Sequence, residues 1–600
     1  MKLTTRILSI LALAAGLAWS AIAEDATNAP AAAAATSTNA PAPAPQVADP
    51  LGYPPGANAG NEQDLQWPIP AKTLENLGMT NAPTPLYAKP SMDELIQNVA
   101  HNKVSINVVW TLVTGFLVMF MQAGFALVET GLCRAKHASH VMATNFMIYA
   151  LGMLGFWALG FGIMFGGYYN GPVPIGWQPT LGQGLALLNV EKGITIGGNL
   201  WGLMGGTGFF LSNSVLDTAV FTLFLFQMVF MDTTATIPTG SMAERWNFSN
   251  FVIYGLWVGA LPYAFFGNWV WGGGWLAQLG INVGLGHGHV DFAGSSVVHM
   301  CGGMIALAGA IVIGPRLGKY GPDGKARPIP GHNLPFVMLG TFILAFGWFG
   351  FNPGSTLAGT DNHISIVAVN TMLASAAGAL ATYFTIKALT GKPDPSMMCN
   401  GFLAALVAIT APCAFVSALG AVIIGAVAGV IVVFSVFFWD KRGVDDPVGA
   451  ISVHGVNGAW GVLSVGLFAN GSYGAGWGGV HKLVKEGVVQ IINNDGPASI
   501  AKYNALTGAG WADQGVTGIF GKWFGGAYSD TAQFGAQCVG TLTCAVFVFV
   551  FAFVWFKLSN LIIPLRSKPE DEIAGLDMPE MGVEAYPDYH ITDRSSPPVK

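Results

Sequence analysis

Two histidines lie 155 residues apart, each closing the same pattern. Asp291-Phe-Ala-Gly-Ser-Ser-Val-Val-His299 and Asp446-Pro-Val-Gly-Ala-Ile-Ser-Val-His454 share D-x-x-G-x-x-x-V-H, and a glycine follows four residues later in both, at Gly303 and Gly458. Each copy opens a strongly apolar segment. At about 1.5 Å per residue the histidine falls roughly 12 Å beyond an aspartate that can stay near the water interface. An ionisable ring at that depth is expensive and is by default a functional hypothesis. A lone buried histidine reads more simply as a packed core residue, a reading that two matching copies weaken. A metal pair is a further reading, but neither motif supplies the additional ligands that zinc takes.

The elements that must carry these rings are membrane helices. The 600-residue chain is 52% hydrophobic and 10% charged, whereas ordinary soluble domains are roughly 25% charged. The 80 glycines suit helices that approach closely in lipid. A net charge of -6 without an extended basic run gives no footprint for nucleic acid. The six cysteines, Cys133, Cys301, Cys399, Cys413, Cys538 and Cys544, lie in or beside apolar stretches without CxxC spacing and read as small core residues.

Residues 1–23 read as a cleaved signal peptide: Lys2 and Arg6 precede an apolar run that ends in Ala21-Ile-Ala23. Residues 24–104 form a Pro/Ala-rich external segment, in which Ser91 to Glu94 spells a capping box for a helix leading to the membrane. A membrane domain over 105–565 and a C-terminal tail over 566–600 complete the chain.

Eleven apolar stretches are expected to span the membrane, centred near residues 118, 155, 225, 261, 303, 345, 377, 408, 429, 458 and 547. Basic residues collect after the odd-numbered spans, for example Arg134, Arg245, Arg316, Lys387, Arg442 and Arg566. The opposite loops are nearly free of them, apart from the long 470–531 loop. The positive-inside rule therefore sets the N-terminus outside and the C-terminus in the cytoplasm of an inner (plasma) membrane protein. With that topology the span at His299 runs inward and the span at His454 runs outward. The fold class is then an all-α polytopic bundle, a 5+5 inverted repeat with one final helix, and such repeats hold substrate near the midplane.

Several stretches stand out, the two histidine motifs among them: Phe226-Gln-Met-Val-Phe230, Ala235 through Arg245, Trp271-Gly-Gly-Gly274, Asp291 through His299, Gly347-Trp-Phe-Gly-Phe351 through Ser355, Asp445 through His454, and the tail Gly575 through Tyr586. In these stretches the chain resembles the ammonium transporters, including the yeast permeases and, more distantly, the Rhesus glycoproteins. Together the stretches run over roughly residues 105–586 in the family's order. Long outward loops at about 169–213 and 470–531 depart from the pattern.

The resemblance implies roles residue by residue. Trp271 and Ser355, with Phe230, match an external recruitment site, where an indole face attracts a small cation and a hydroxyl accepts an N–H bond. Phe230 and Phe351 match a paired phenylalanine gate, with Phe226 supporting on the same helix face as Phe230. His299 and His454 match twin lumen histidines, whose uncharged form an apolar lumen favours. Asp291 and Asp446 are expected to cap their helices. By residue type alone, Trp271 reads more often as an interfacial anchor, a reading that only its place in the Trp-Gly-Gly-Gly stretch reverses, and the phenylalanines read as ordinary packing between helices.

A bare cation in an apolar pore faces a very large desolvation penalty and neutral ammonia far less. The implied mechanism recruits ammonium, removes a proton near the phenylalanines and passes ammonia along the histidines, with a separate transfer of the proton as an open branch. The function class is accordingly a transporter or channel for ammonium and ammonia, with methylammonium as an analogue. Its alternatives are an ammonium sensor or a Rhesus-like gas channel. No cofactor motif or nucleophile-base constellation points to an enzyme. The expected partners are the lipid bilayer, two further copies in a homotrimer and a PII-type regulator at the tail.

Overall fold

The computed structural model describes residues 92–170, 180–493 and 497–587. The expected signal peptide and most of the Pro/Ala-rich segment lie outside the described residues, as does Ser91. Among the described residues, ten helices are long and apolar enough to cross a membrane, and one shorter apolar helix accompanies them. They are α1 (Met92–Leu132), α2 (Ala135–Phe165), α3 (Thr218–Ser241), α4 (Phe248–Val270), α5 (Ser295–Ile313) and α6 (Leu334–Thr356). The rest are α7 (Ile364–Thr390), the short α8 (Pro395–Thr410), α9 (Ala418–Lys441), α10 (Ile451–Phe468) and α11 (Thr531–Ile562).

Local chemistry fixes where these helices begin. Asp217, Asn247, Asn333, Asp394, Ser417 and Asp530 each accept a hydrogen bond from a first-turn amide of α3, α4, α6, α8, α9 and α11. These caps satisfy donors that a helix start leaves open. Helix α1 continues back to Met92, so the expected boundary at residue 105 falls inside a continuous helix.

Small residues then let backbones touch. A Cβ at Gly124 would lie 3.0 Å from the Gly340 carbonyl oxygen, and one at Gly350 would strike the Thr114 carbonyl, which sets α1 along α6. Gly425 and Gly429 bring α9 against Ala374 and Gly378 of α7 in the same way. Helix α5 packs on α3, α10 and α11, and α10 packs on α8 and α11. Large apolar side chains such as Phe116, Phe342, Phe346 and Phe384 remain exposed on outward faces. Five of the cysteines are buried, but Cys538 is exposed, because its position on α11 faces away from the bundle; it is not a core residue.

The two long loops carry sheets that no alternating pattern announced. β1 (Glu191–Ile196) and β2 (Asn199–Gly205) form a hairpin that turns at Gly197 and Gly198, both at positive φ. β3 (Val480–Lys485) lies between β4 (Val488–Asn493) and β5 (Ala512–Gln514), antiparallel to both. The end of the bundle bearing these loops is its loop side, and the end bearing residues 566–587 its tail side.

Candidate functional site

Both histidine motifs fold alike. Gly294 and Gly449 take positive φ, and the histidines then sit in π-helical turns, Ser295–Met300 and Ile451–Val456. Such wide turns re-aim side chains and recur at functional sites. The Asp291 carboxylate accepts from the amides of Gly294, Ser295, Ser296 and Val297 at 2.7–3.0 Å and from the Ser296 hydroxyl at 2.7 Å. Asp446 accepts from the Gly449 and Ile451 amides at 3.1 and 2.7 Å. Both aspartates thus cap the turns that hold the rings.

The two turns meet in the middle of the bundle. The Nδ1 atoms of His299 and His454 are 3.2 Å apart, with ring centroids 5.3 Å apart and planes inclined by 26°. Two neutral rings in this contact share one Nδ1 hydrogen. The donor ring then has a bare Nε2 and the acceptor ring an Nε2–H, so the pair offers an acceptor at one end and a donor at the other. His299 Nε2 is buried and has no hydrogen-bond partner among the described residues.

A row of rings leads from the loop side to this pair. The indole N–H of Trp271 donates to the Asp291 carbonyl at 2.7 Å, and its ring lies 6.1 Å from Phe230 in an edge arrangement. Phe230 stacks on Phe351 with centroids 4.1 Å apart and planes at 24°, which leaves no opening between the two rings. Phe226 lies 4.6 Å from Phe230. Phe351 in turn faces His299 at 5.2 Å. Ser355 is buried and its hydroxyl donates to the Phe351 carbonyl at 2.7 Å. The structure brings all of the residues singled out from the sequence into this row or its supports, with Trp271 and Ser355 both buried.

Residues beyond those singled out also take part. Trp348 stacks on His299 at 5.3 Å while its indole donates to Thr410 at 3.0 Å. It stands three residues before Phe351 on one helix face, which was the signal available in the sequence. On the tail side of His454, a cavity of about 30 Å³ is walled by Phe125, Val128, Glu129, Leu344 and Val448 with His454 itself. That is room for about one water-sized molecule.

A buried ionic network closes the tail side. Arg316 binds Asp445 through Nε and Nη2 at 2.9 and 3.0 Å and reaches Glu244 at 3.1 Å. Arg134 Nε donates to Glu244 at 2.6 Å, and Arg245 donates to the Gly314 and Asp445 carbonyls at 2.8 Å each. Burial by itself would raise both carboxyl groups. The guanidiniums of Arg316 and Arg134, with His137, hold Glu244 below its ordinary value, and Arg245 and Arg316 hold Asp445 well below its own. Glu244 keeps a left-handed φ of 70° inside this network.

The tail docks on three tail-side loops. Asp577 caps α2 by accepting from the Ser139 and His140 amides, and Glu580 accepts from the Phe248 amide at 2.8 Å and meets His140 at 3.1 Å. Glu572 accepts from the Leu317 amide at 2.6 Å, and the Tyr586 hydroxyl meets His332 at 2.9 Å.

Residues 109–586 match the family model described as the Ammonium Transporter Family. Ammonium transporter Amt2 of Archaeoglobus fulgidus is 41% identical over 498 residues, covering 82% of this chain and 91% of that protein. Ammonium transporter Amt1 of Haloferax mediterranei is 32% identical over 501 residues, 81% of this chain and 80% of that protein. A solved structure described as a Sensor Amt Protein is similar over 80% of this chain and 99% of that chain, at 31% identity and a TM-score of 0.63. The fold is also that of Candida albicans Mep2, at 24% identity and a TM-score of 0.58 over 78% of this chain and 87% of that one.

Proposed function

Because the chain belongs to the ammonium transporter family, a transport family and not an enzyme family, we propose that it conducts ammonia derived from recruited ammonium along the twin histidines. The observation that carries this reading is the continuous row from Trp271 through Phe230 and Phe351 to His299 and His454. Ammonium is drawn to the aromatic mouth at Trp271 and Ser355 and loses a proton at the phenylalanine pair, because a charged species between stacked phenyl rings would lack the donors and acceptors that replace water. Ammonia then exchanges hydrogen bonds with the opposed Nε2 atoms of the imidazole pair. Rotation of Phe230 or Phe351 opens the way.

In this reading α1 to α5 and α6 to α10 are two inverted halves, α11 braces them, the loop side is external and the tail side cytoplasmic. What supports it is the equivalence of the two π-helical histidine turns and the collection of basic residues on the tail side. The protein works as a homotrimer in the inner membrane, with a PII-type regulator engaging the docked tail. The test is uptake of labelled methylammonium into proteoliposomes of the purified protein, competed by ammonium. Uptake above that of empty vesicles is expected; none in well-inserted protein would favour a sensor and contradict transport.

A further inference from the structure

The membrane interior holds an acidic residue that the path described above does not use. Glu129 lies near the tail-side end of α1 and is buried. Its carboxylate accepts from Asn145 Nδ2 at 2.7 Å and from the Thr239 hydroxyl at 2.8 and 3.0 Å. That hydroxyl has one hydrogen and also lies 2.5 Å from the Thr236 carbonyl, so it is shared among competing acceptors. Among the described residues no arginine, lysine or histidine pairs with Glu129. A carboxylate surrounded only by neutral donors inside a membrane is a standing demand for a cation or a proton.

The position of that demand is specific. Glu129 walls the same small cavity as His454, on the tail side of the imidazole pair. The rest of that wall is largely apolar, with Phe125, Val128, Leu344 and Val448, so a solute leaving His454 meets the carboxyl group before bulk water.

We propose that Glu129 is the exit site at which ammonia becomes ammonium again, a proposal that rests on the transport reading above. The proton removed from ammonium at the phenylalanine pair passes through His299 and His454 to the Glu129 carboxylate, forming its O–H bond. Ammonia arriving from His454 takes that proton: the O–H bond breaks, the fourth N–H bond forms, and the carboxylate holds the new ammonium by a charge-assisted hydrogen bond until water receives it. Each cycle returns Glu129 to its ionised form and moves one ammonium in total.

The experiment uses the full-length protein in proteoliposomes. Methylammonium uptake by the unaltered protein is the control, and its absence would remove the transport reading itself. With uptake present, Glu129→Gln, which keeps size and hydrogen-bonding shape, is expected to reduce it about tenfold or more, the scale of one charge-assisted hydrogen bond. Glu129→Asp is expected to recover part of it. Wild-type uptake in Glu129→Gln would overturn the proposal. A second measurement needs no variant: modification of Glu129 by dicyclohexylcarbodiimide, read by mass spectrometry of its peptide. Ammonium chloride should slow it, whereas equal sodium chloride or tetramethylammonium chloride, which offer no N–H, should not. If Glu129→Gln fails to assemble, this protection decides alone, and equal modification in all three salts refutes the exit site.

Discussion

Gly303 and Gly455 touch through their backbones: a Cβ at position 303 would fall on the amide nitrogen and Cα of Gly455. The reciprocal contact exists at the equivalent position of the other motif, where a Cβ on Gly458 would lie 2.9 Å from the Met300 amide nitrogen. These two contacts set the separation at which His299 and His454 meet.

Gly303→Ala should therefore force α5 and α10 apart. We expect about 1–3 kcal/mol of destabilisation from overpacking and a loss of methylammonium uptake out of proportion to the loss of folded protein. Thermal unfolding in detergent and uptake per folded protein check both. Unchanged stability would mean that the turns have slack the packing does not show.

Asp445→Asn should destabilise the protein by about 3–5 kcal/mol, because it strips the buried Arg316 of its main partner. The same network gives a pH dependence. Glu244 and Asp445 are held below their ordinary values in the folded state, so their stabilisation is complete above the ordinary carboxylate range near about 4 and is lost as pH falls through the lowered values. Unfolding temperature measured against pH should show that acid limb in the unaltered protein and a flatter one in Asp445→Asn.

The sequence exposed some of this and hid the rest for physical reasons. The histidine and phenylalanine pairs were legible because helical spacing places Phe226 with Phe230 and the repeated pattern aligns His299 with His454. Their direct contact was not, since it depends on glycine backbones packing across 155 residues of chain. Arg316 reads only as a marker of membrane sidedness, and its buried carboxylate partners Glu244 and Asp445 appear only when the loops fold together. Glu129 is the one charge between Lys103 and Arg134, and no spacing in the sequence ties it to His454. The sheets at 191–205 and 480–514 are not legible in the sequence because their strands are short with little alternation, and Gly193 and Gly202 interrupt the first pair.

Deleting everything beyond Ser567 should remove the caps that Asp577 and Glu580 place on α2 and α4 while leaving the bundle inserted. Loss of caps costs about 1 kcal/mol each, so we expect a lower unfolding temperature and altered uptake or nitrogen-status response. Unchanged uptake and unchanged response would show an inert tail.

Sidedness is tested by reporters. A reporter fused after Pro569 should be active in the cytoplasm, and one inserted near Gly474 should be active outside. Both on the same side would break the inverted-repeat topology.

The most direct measurement is methylammonium uptake by His299→Leu and His454→Leu in proteoliposomes, at matched amounts of assembled protein and over a range of concentrations. Leucine keeps an apolar bundle and removes the paired Nδ1 and Nε2 atoms. Each variant should assemble and lose about tenfold or more of its uptake, as expected for removing a buried hydrogen-bonding group. Uptake equal to that of the unaltered protein in both variants would contradict the account.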